Sequence, residues 1–271
     1  MNDVLINTFG AIFHLKPSEL SYIQLAFFGA FFVISIAYFT ISNILKTDPI
    51  NKIGYKNGMA ISLLTCSLGC GLFYVAAENE SYNQFISALF VLASGVTFLQ
   101  ICANPYATIL GPESSASSRL NLAQGFNSLG TTLGPVVGNF LIYAIFFKSS
   151  TLAAVGSTYL VYGVIFLLMA ILVLISKLPS FDNPEKINSG LEIFKNKNLS
   201  YGILAIFFYV GSEVAVGSWI GTFGKDTTIM NLSDQGANSY LAFFWGGLMI
   251  GRLMASISLN ESKSDGRKRL E

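Results

Sequence analysis

Long runs of uncharged residues dominate this sequence and predict an integral membrane protein. Hydrophobic residues occupy 52% of its 271 positions and charged residues only 11%, a composition outside the range of soluble domains. Because a helix rises about 1.5 Å per residue, about 20 apolar residues cross the roughly 30 Å hydrocarbon core of a bilayer. Seven runs reach that length, and only the last two contain a charged residue. They are Leu20–Leu45, Asn57–Ala77, Ser81–Pro112, Leu120–Phe147, Ser149–Ser176, Asn198–Gly224 and Gln235–Leu259.

A further apolar stretch, residues 1–13, is too short to be a complete span. At about 1.5 Å per residue it reaches only roughly 20 Å, and Asp3 within it argues against a signal peptide. We therefore expect an all-α fold, a polytopic transmembrane helical bundle in which a partial first helix precedes seven full spans. Most connections between the spans are short, which makes consecutive helices antiparallel neighbours.

The basic residues are distributed unequally among the loops. When the spans are threaded alternately through the bilayer, thirteen of the sixteen lysines and arginines fall on one side. The loops near Lys52, Arg119 and Lys186 are therefore expected in the cytoplasm. The basic tail, residues 260–271, lies on the same side, where it anchors the topology rather than binding nucleic acid. Arg252, inside the last span, is expected to extend its side chain towards the cytoplasm.

The longest polar connection separates the chain into two parts. It runs from Lys177 to Lys197 and contains Pro179, Pro184 and charges of both signs, which is typical of a linker. We predict an N-terminal transmembrane half over residues 1–176 and a cytoplasmic linker over 177–200. The start of a C-terminal transmembrane half follows over residues 201–259, and the tail completes the chain.

Amide and hydroxyl side chains lie inside two of the apolar runs. They are Gln100 and Asn104 in one run and Asn121, Gln124, Asn127 and Thr131 in the next. Spacings of three and four residues put each set on one face of its helix. Hydrocarbon cannot satisfy an amide, so such faces normally point into a helix bundle, where they join helices or line a wet cavity.

These side chains have the chemistry needed to bind a neutral polar solute. Amides and hydroxyls both donate and accept hydrogen bonds, which suits a ligand with several hydroxyl groups, such as a sugar. The alternative is that they only join helices, for about 1 kcal/mol per bond. Their clustering favours binding. Trp219 is either a stacking surface for a sugar ring or an anchor at the membrane interface.

Glu213 is the only acidic residue within any complete span. A charge near the bilayer centre costs about 2.5 to 3.5 kcal/mol on insertion scales, so a neutral, protonated form is accessible. A carboxyl group at this depth could load and release a proton if access alternated between the two membrane faces. We therefore expect Glu213 to bind and release a proton. Tyr209, four residues earlier, shares its helix face.

Metal, cofactor and enzyme chemistry have little support in the sequence. Cys66, Cys70 and Cys102 all fall within spans and have no second ligand pair nearby, which indicates buried free thiols. His14 is the only histidine and lies in a loop. We expect no metal, no cofactor and no catalytic residue, and we regard an intramembrane enzyme as the least favoured class.

The stretch NPYATILGPESSASSRLNLAQGFNSLGTTLGP resembles the fucose/glucose/galactose permease family of the major facilitator superfamily. IGYKNG, FYVGSEVAVGS and WGGLMIGR also resemble that family, in the expected order. The resemblance implies two six-helix halves with a sugar bound between them, and uptake by cation symport through alternating access. It also implies a multi-pass protein of the plasma (inner) membrane. Its partners would be a sugar, a co-transported cation and the lipid bilayer, and the full-length form is expected to be monomeric.

The resemblance assigns roles to individual residues. Asp3 matches the acidic position of the first helix that is implicated in proton coupling. Gln124, Asn127 and Gln24 match polar positions of the sugar cavity. Gln100 stands where fucose-type members carry a second coupling glutamate, so the chain looks closer to the glucose/galactose branch, and Glu213 also fits that branch.

Three departures from the family pattern leave a second hypothesis open. The first helix lacks its beginning, nothing follows the eighth helix, and IAYFTISNILKTDPI replaces a shorter turn. The first hypothesis is a sugar:cation symporter represented by an incomplete chain. The alternative is a nonfunctional or partner-dependent fragment of such a permease. Continuous coding on both sides of the reading frame would favour the first, and a frameshift or stop would favour the second.

Overall fold

A computed structural model describes residues 5, 9–10, 12–146, 151–181, 194–225, 228–232 and 234–259. Within these ranges the regular structure is entirely helical, as predicted. The helices are α1 (Pro17–Leu45), α2 (Pro49–Ile53), α3 (Tyr55–Glu78), α4 (Tyr82–Ile109), α5 (Ala116–Phe140), α6 (Thr151–Ile175), α7 (Lys197–Lys225) and α8 (Asp234–Ser258). A 3₁₀ turn, Glu113–Ser115, precedes α5, and a π-helical turn, Leu141–Ile145, continues it. Asp3, half of the predicted linker (182–193) and the tail lie outside the described residues.

The seven long helices coincide with the seven predicted spans to within a few residues. Five of them are long and apolar enough to cross a membrane, namely those that contain Ser18–Leu45, Tyr55–Glu78, Tyr82–Ile109, Thr151–Ile175 and Lys197–Gly217. Helices α5 and α8 have 25 residues each and are also long enough. They are less apolar because amides, hydroxyls, glycines and Arg252 interrupt their hydrophobic residues. These are therefore the two helices in which polar side chains concentrate.

The ends of the helices follow from local sequence signals. Pro17 is at the first position of α1, where its missing N–H is no loss, and the Glu19 carboxylate accepts the Lys16 N–H at 2.7 Å. Asp48 caps α2 by accepting the Ile50 N–H at 2.9 Å and also accepts the Tyr38 hydroxyl from the end of α1. Gly54, at φ 80°, makes the turn between α2 and α3.

The chain divides into two compact units. The first unit consists of Met1–Tyr106 and Gly134–Ile187, and the second of Ala107–Leu133 and Asn188–Glu271. The division passes through α4 and α5, so it does not follow the predicted boundary at residue 176. The predicted division into two transmembrane halves and a linker stays a prediction.

The first unit contains a closely packed core of aromatic and small residues. Phe73 stacks on Tyr159 with ring centroids 3.8 Å apart, and Ser67 on α3 donates a hydrogen bond of 2.8 Å to the Gly163 carbonyl on α6. The three cysteines are free and buried, as predicted. At the other end of this unit, the Tyr106 hydroxyl donates to the Pro179 carbonyl at 3.0 Å, which attaches the segment after α6 to α4.

Gly69 allows a close approach between α3 and α4, and its replacement by alanine is expected to destabilise the protein. A Cβ at Gly69 would lie 2.6 Å from the Leu92 nitrogen, whereas a Cβ at Gly71 would have nothing within 4 Å. We expect Gly69→Ala to lower the free energy of unfolding by about 1 to 3 kcal/mol. Gly71→Ala is the matched control and should be neutral or stabilising by up to about 1 kcal/mol. Equal melting temperatures of the two variants in detergent would contradict this packing.

Candidate functional site

An ion pair between two membrane-spanning helices is the main polar feature of the second unit. Arg252 on α8 contacts both carboxylate oxygens of Glu213 on α7, with Nη2 at 3.1 Å from Oε1 and 3.2 Å from Oε2. The same nitrogen donates to the Tyr209 hydroxyl at 2.9 Å. The Arg252 side chain is 22% exposed and the Glu213 side chain 12%. Both charges are therefore largely removed from solvent within this unit, and each is the other's counterion.

The direction of the Arg252 side chain explains how the two residues meet. Glu213 lies twelve residues before the end of α7, and Arg252 lies eighteen residues after the start of α8. At about 1.5 Å per residue, these positions are roughly 18 Å and 27 Å from the connecting loop. Side chains of a helix lean towards its N-terminus, so Arg252 extends back along α8 to Glu213. The expectation that Arg252 extends towards the cytoplasm stays a prediction, and its pairing with Glu213 was not anticipated from the sequence.

Ser128 connects this ion pair to the polar face of α5. The second guanidinium nitrogen of Arg252, Nη1, donates to the Ser128 hydroxyl. Ser128 is buried, follows Asn127 directly and lies one helical turn after Gln124. The amide nitrogen of Asn127 donates to the Gln124 side-chain oxygen at 3.3 Å. The ion pair and two of the predicted binding residues thus belong to one continuous polar region of the second unit.

The two other predicted binding residues of α5, Asn121 and Thr131, bond to their own helix. The Asn121 amide donates to the Ser117 carbonyl at 2.9 Å, and the Thr131 hydroxyl donates to the Asn127 carbonyl at 3.1 Å. Asn127 and Thr131 are exposed, while Asn121 and Gln124 are half-buried. Donors that are satisfied within a helix do not need a second helix as a partner.

Helices α5 and α8 lie against each other over small side chains. The Ser118 hydroxyl donates to the Ser256 carbonyl. A Cβ at Gly125 would lie 2.6 Å from Cδ2 and 3.1 Å from Cγ of Leu253, so only glycine fits there without a shift of its neighbour. These contacts, together with that of Ser128, hold one face of α5 against α8.

The other predicted site residues are not part of this region. Gln100 and Asn104 on α4 and Gln24 on α1 are half-buried and belong to the first unit. Trp219 on α7 is 68% exposed, and none of the ring contacts that the structure gives involves it. Asp3 lies outside the described residues. The roles of all these residues stay predictions.

Ser128 and the pairing of Arg252 were not predicted from the sequence. Two signals were present: Ser128 follows the amide spacing of α5, and Glu213 and Arg252 are the only charges within the predicted spans. Opposite charges on consecutive membrane helices commonly pair because an isolated charge is costly in hydrocarbon. Within the described ranges, no group of three or more histidine, cysteine or acidic residues could hold a metal ion.

Comparison with known proteins identifies similar transporters. The model of the Major Facilitator Superfamily matches residues 2–263. The glucose/galactose transporter of Brucella abortus is 40% identical over 265 residues, which cover 96% of this chain and 62% of the relative. The L-fucose-proton symporter of Escherichia coli is 32% identical over 278 residues, covering 93% of this chain and 61% of the relative. This chain thus spans less than two thirds of the length of these relatives.

A solved structure is similar in fold to this chain. It is the crystal structure of a Major Facilitator Superfamily transporter, FucP, in the outward conformation, with a TM-score of 0.75 and 28% sequence identity. The match covers 95% of this chain and 66% of that protein.

Proposed function

The chain belongs to the Major Facilitator Superfamily, and we propose that it imports a hexose or a related sugar by cation symport. The family consists of transporters, and the several apolar helices fit a multi-pass protein of the inner membrane. The names of the relatives, a glucose/galactose transporter and an L-fucose-proton symporter, support a sugar as the substrate and a proton as the cation. Transport would proceed by alternating access, as is general for this kind of protein.

The main support for the proposal is that the ion pair of Glu213 and Arg252 is connected to the amide face of α5. A symporter must bind a neutral solute and a cation in a way that makes one depend on the other. Gln124 and Asn127 offer donors and acceptors for sugar hydroxyls, and Ser128 joins their helix to Arg252 and Glu213. A change at the ion pair can therefore shift the helix that carries the sugar-binding amides.

We propose that Glu213 binds the coupled proton. Protonation removes the negative charge with which Arg252 pairs. The guanidinium can then leave Glu213 and, with it, break its hydrogen bonds to Tyr209 and Ser128. Three helices, α5, α7 and α8, meet at this one side chain. Proton binding would thus loosen the contacts that hold them. Asp3 is proposed as a second coupling group from the family resemblance, and Gln24, Gln100, Asn104, Asn121, Thr131 and Trp219 as further sugar-binding residues.

Uptake into vesicles tests the proposal directly. The purified chain is reconstituted into liposomes with an imposed pH gradient, and entry of labelled glucose, galactose and L-fucose is measured. We expect accumulation of at least one of these sugars, abolished by a protonophore and independent of sodium. Accumulation driven by a sodium gradient would show that sodium, and not a proton, is the coupled cation. A complete absence of sugar entry and of sugar binding would favour the nonfunctional or partner-dependent fragment.

Asn127→Ala is expected to weaken sugar binding. The side chain is exposed and contacts Gln124, so its removal deletes a donor and an acceptor without opening a packed core. The loss of one or two hydrogen bonds to sugar corresponds to about 1 to 3 kcal/mol, or roughly a tenfold increase in KM. Asn43→Ala is the control, since Asn43 is an amide of α1 that donates to the Phe39 carbonyl of its own helix. Equal KM values for the two variants would contradict a role of Asn127.

A further inference from the structure

Arg119 makes an unusually complete set of hydrogen bonds between α4 and α5. A guanidinium has five N–H donors, and each of them has an acceptor here. The acceptors are the carbonyl oxygens of Ala107, Thr108, Gly111 and Pro112 and the hydroxyl of Ser115. The Nε donates to Ala107 at 3.0 Å, and Nη1 donates to Pro112 at 3.0 Å and to Ser115 at 2.5 Å. None of these acceptors carries a charge.

These acceptors occupy three consecutive parts of the chain. Ala107 and Thr108 are in the last turn of α4, where carbonyl groups have no partner within the helix. Gly111 and Pro112 form the connection, and Ser115 belongs to the 3₁₀ turn that leads into α5. Arg119 itself is the fourth residue of α5. One side chain therefore joins the end of one helix, the connection and the start of the next helix, and its charge lies at the negative end of the α4 dipole.

Gly111 is shaped to accept this side chain. Its φ of 157° is unfavourable for residues with a side chain, and a Cβ there would lie 3.0 Å from Nη1 and 3.4 Å from Cζ of Arg119. An added methyl group would push the guanidinium away from the carbonyl oxygens. Arg119 and Gly111 are thus both required for the same set of hydrogen bonds between the guanidinium and the connection.

We propose that Arg119 is a positioning residue that fixes the start of α5 and thereby the placement of Gln124 and Asn127. These amides follow Arg119 by five and eight residues on the same helix, so a shift or fraying of the first turn of α5 displaces them. The requirement is the forked geometry of the guanidinium and not its charge. A lysine keeps the charge that sets membrane topology but offers a point-like ammonium with three donors. The consequence for transport rests on the proposed function, whereas the consequence for α5 does not.

Two substitutions separate geometry from charge. Arg119→Lys retains the charge, and Arg119→Gln removes it. Backbone hydrogen exchange of residues 113–124 is measured on the purified full chain in detergent, and sugar uptake is measured in vesicles. We expect exchange to become about tenfold faster in both variants, since local opening costs less when the start of α5 loses its hydrogen bonds. In uptake, we expect a raised KM in both variants with an unchanged dependence on pH.

The outcomes distinguish this proposal from its alternatives. Wild-type exchange in Arg119→Lys together with fast exchange in Arg119→Gln would overturn it in favour of a role for charge alone, and wild-type exchange in both would overturn it entirely. Gly111→Ala should also make exchange faster, because the added methyl group displaces the Arg119 guanidinium. Gly130→Ala, also on α5, is the control because a Cβ there has nothing within 4 Å. If no sugar enters vesicles that contain the wild type, the proposed function fails while the exchange result still decides the role of Arg119 in positioning α5.

Discussion

Replacement of Glu213 by glutamine is expected to abolish accumulation of sugar against a gradient. Glutamine keeps the size of the side chain but cannot bind and release a proton, and it leaves Arg252 without its counterion. Removing one partner of a fully buried ion pair lowers folding stability by about 3 to 5 kcal/mol, and the partial exposure of this pair reduces the expected loss of stability to about 2 to 3 kcal/mol. Coupled uptake should fall to the level of vesicles without protein, because the side chain can no longer carry the proton. Exchange of labelled for unlabelled sugar at equilibrium should persist, since it needs no net proton movement.

A second variant separates loss of coupling from loss of folding. Arg252→Gln alone leaves the Glu213 carboxylate unpaired, whereas the double variant Glu213→Gln/Arg252→Gln removes both charges. We expect the double variant to melt at a higher temperature than either single variant, because no uncompensated charge remains. Glu78→Gln is the matched control, since Glu78 is an exposed carboxylate at the end of α3. Normal accumulation of sugar by the Glu213→Gln variant would exclude Glu213 from coupling.

The spanning helices could be located in the sequence because the thickness of the bilayer sets their minimum length. An uncharged run of about 20 residues has few alternatives to a membrane-spanning helix. The amide face of α5 was also predictable, since helical periodicity alone puts Gln124 and Asn127 on one side. Both features are local, in that they depend on residues a few positions apart.

The contacts of the two arginines could not be predicted in the same way. Arg252 meets Glu213 across 39 positions because two helices pack side by side, and the direction of a long side chain decides which partner it reaches. Arg119 was interpreted only as a cytoplasmic charge, although its five hydrogen bonds depend on the shape of the connection at Gly111. In both cases the residue type indicated a charge, and only the fold determined what that charge contacts.

A disulfide between α5 and α8 is expected to stop transport. In the predicted domain division these helices belong to different halves of the protein, and alternating access requires the halves to move relative to each other. The Cβ position at Gly125 lies 3.1 Å from Cγ of Leu253, which brings the two Cβ atoms close to the 3.5 to 4.5 Å that a disulfide spans. The double variant Gly125→Cys/Leu253→Cys also replaces the bulky leucine, so the added side chain at position 125 has room.

Uptake after oxidation and after reduction measures this effect. Oxidised vesicles of the double variant should show only the sugar entry of empty vesicles, and a reducing agent should restore transport. Each single variant controls for oxidation of the native cysteines, which are free and buried. Of the two single variants, Gly125→Cys should have the lower free energy of unfolding, by about 1 to 3 kcal/mol, because its sulfur is forced against Leu253. Full transport by a demonstrably cross-linked protein would show that α5 and α8 stay together throughout the cycle, and the moving contact would have to lie elsewhere.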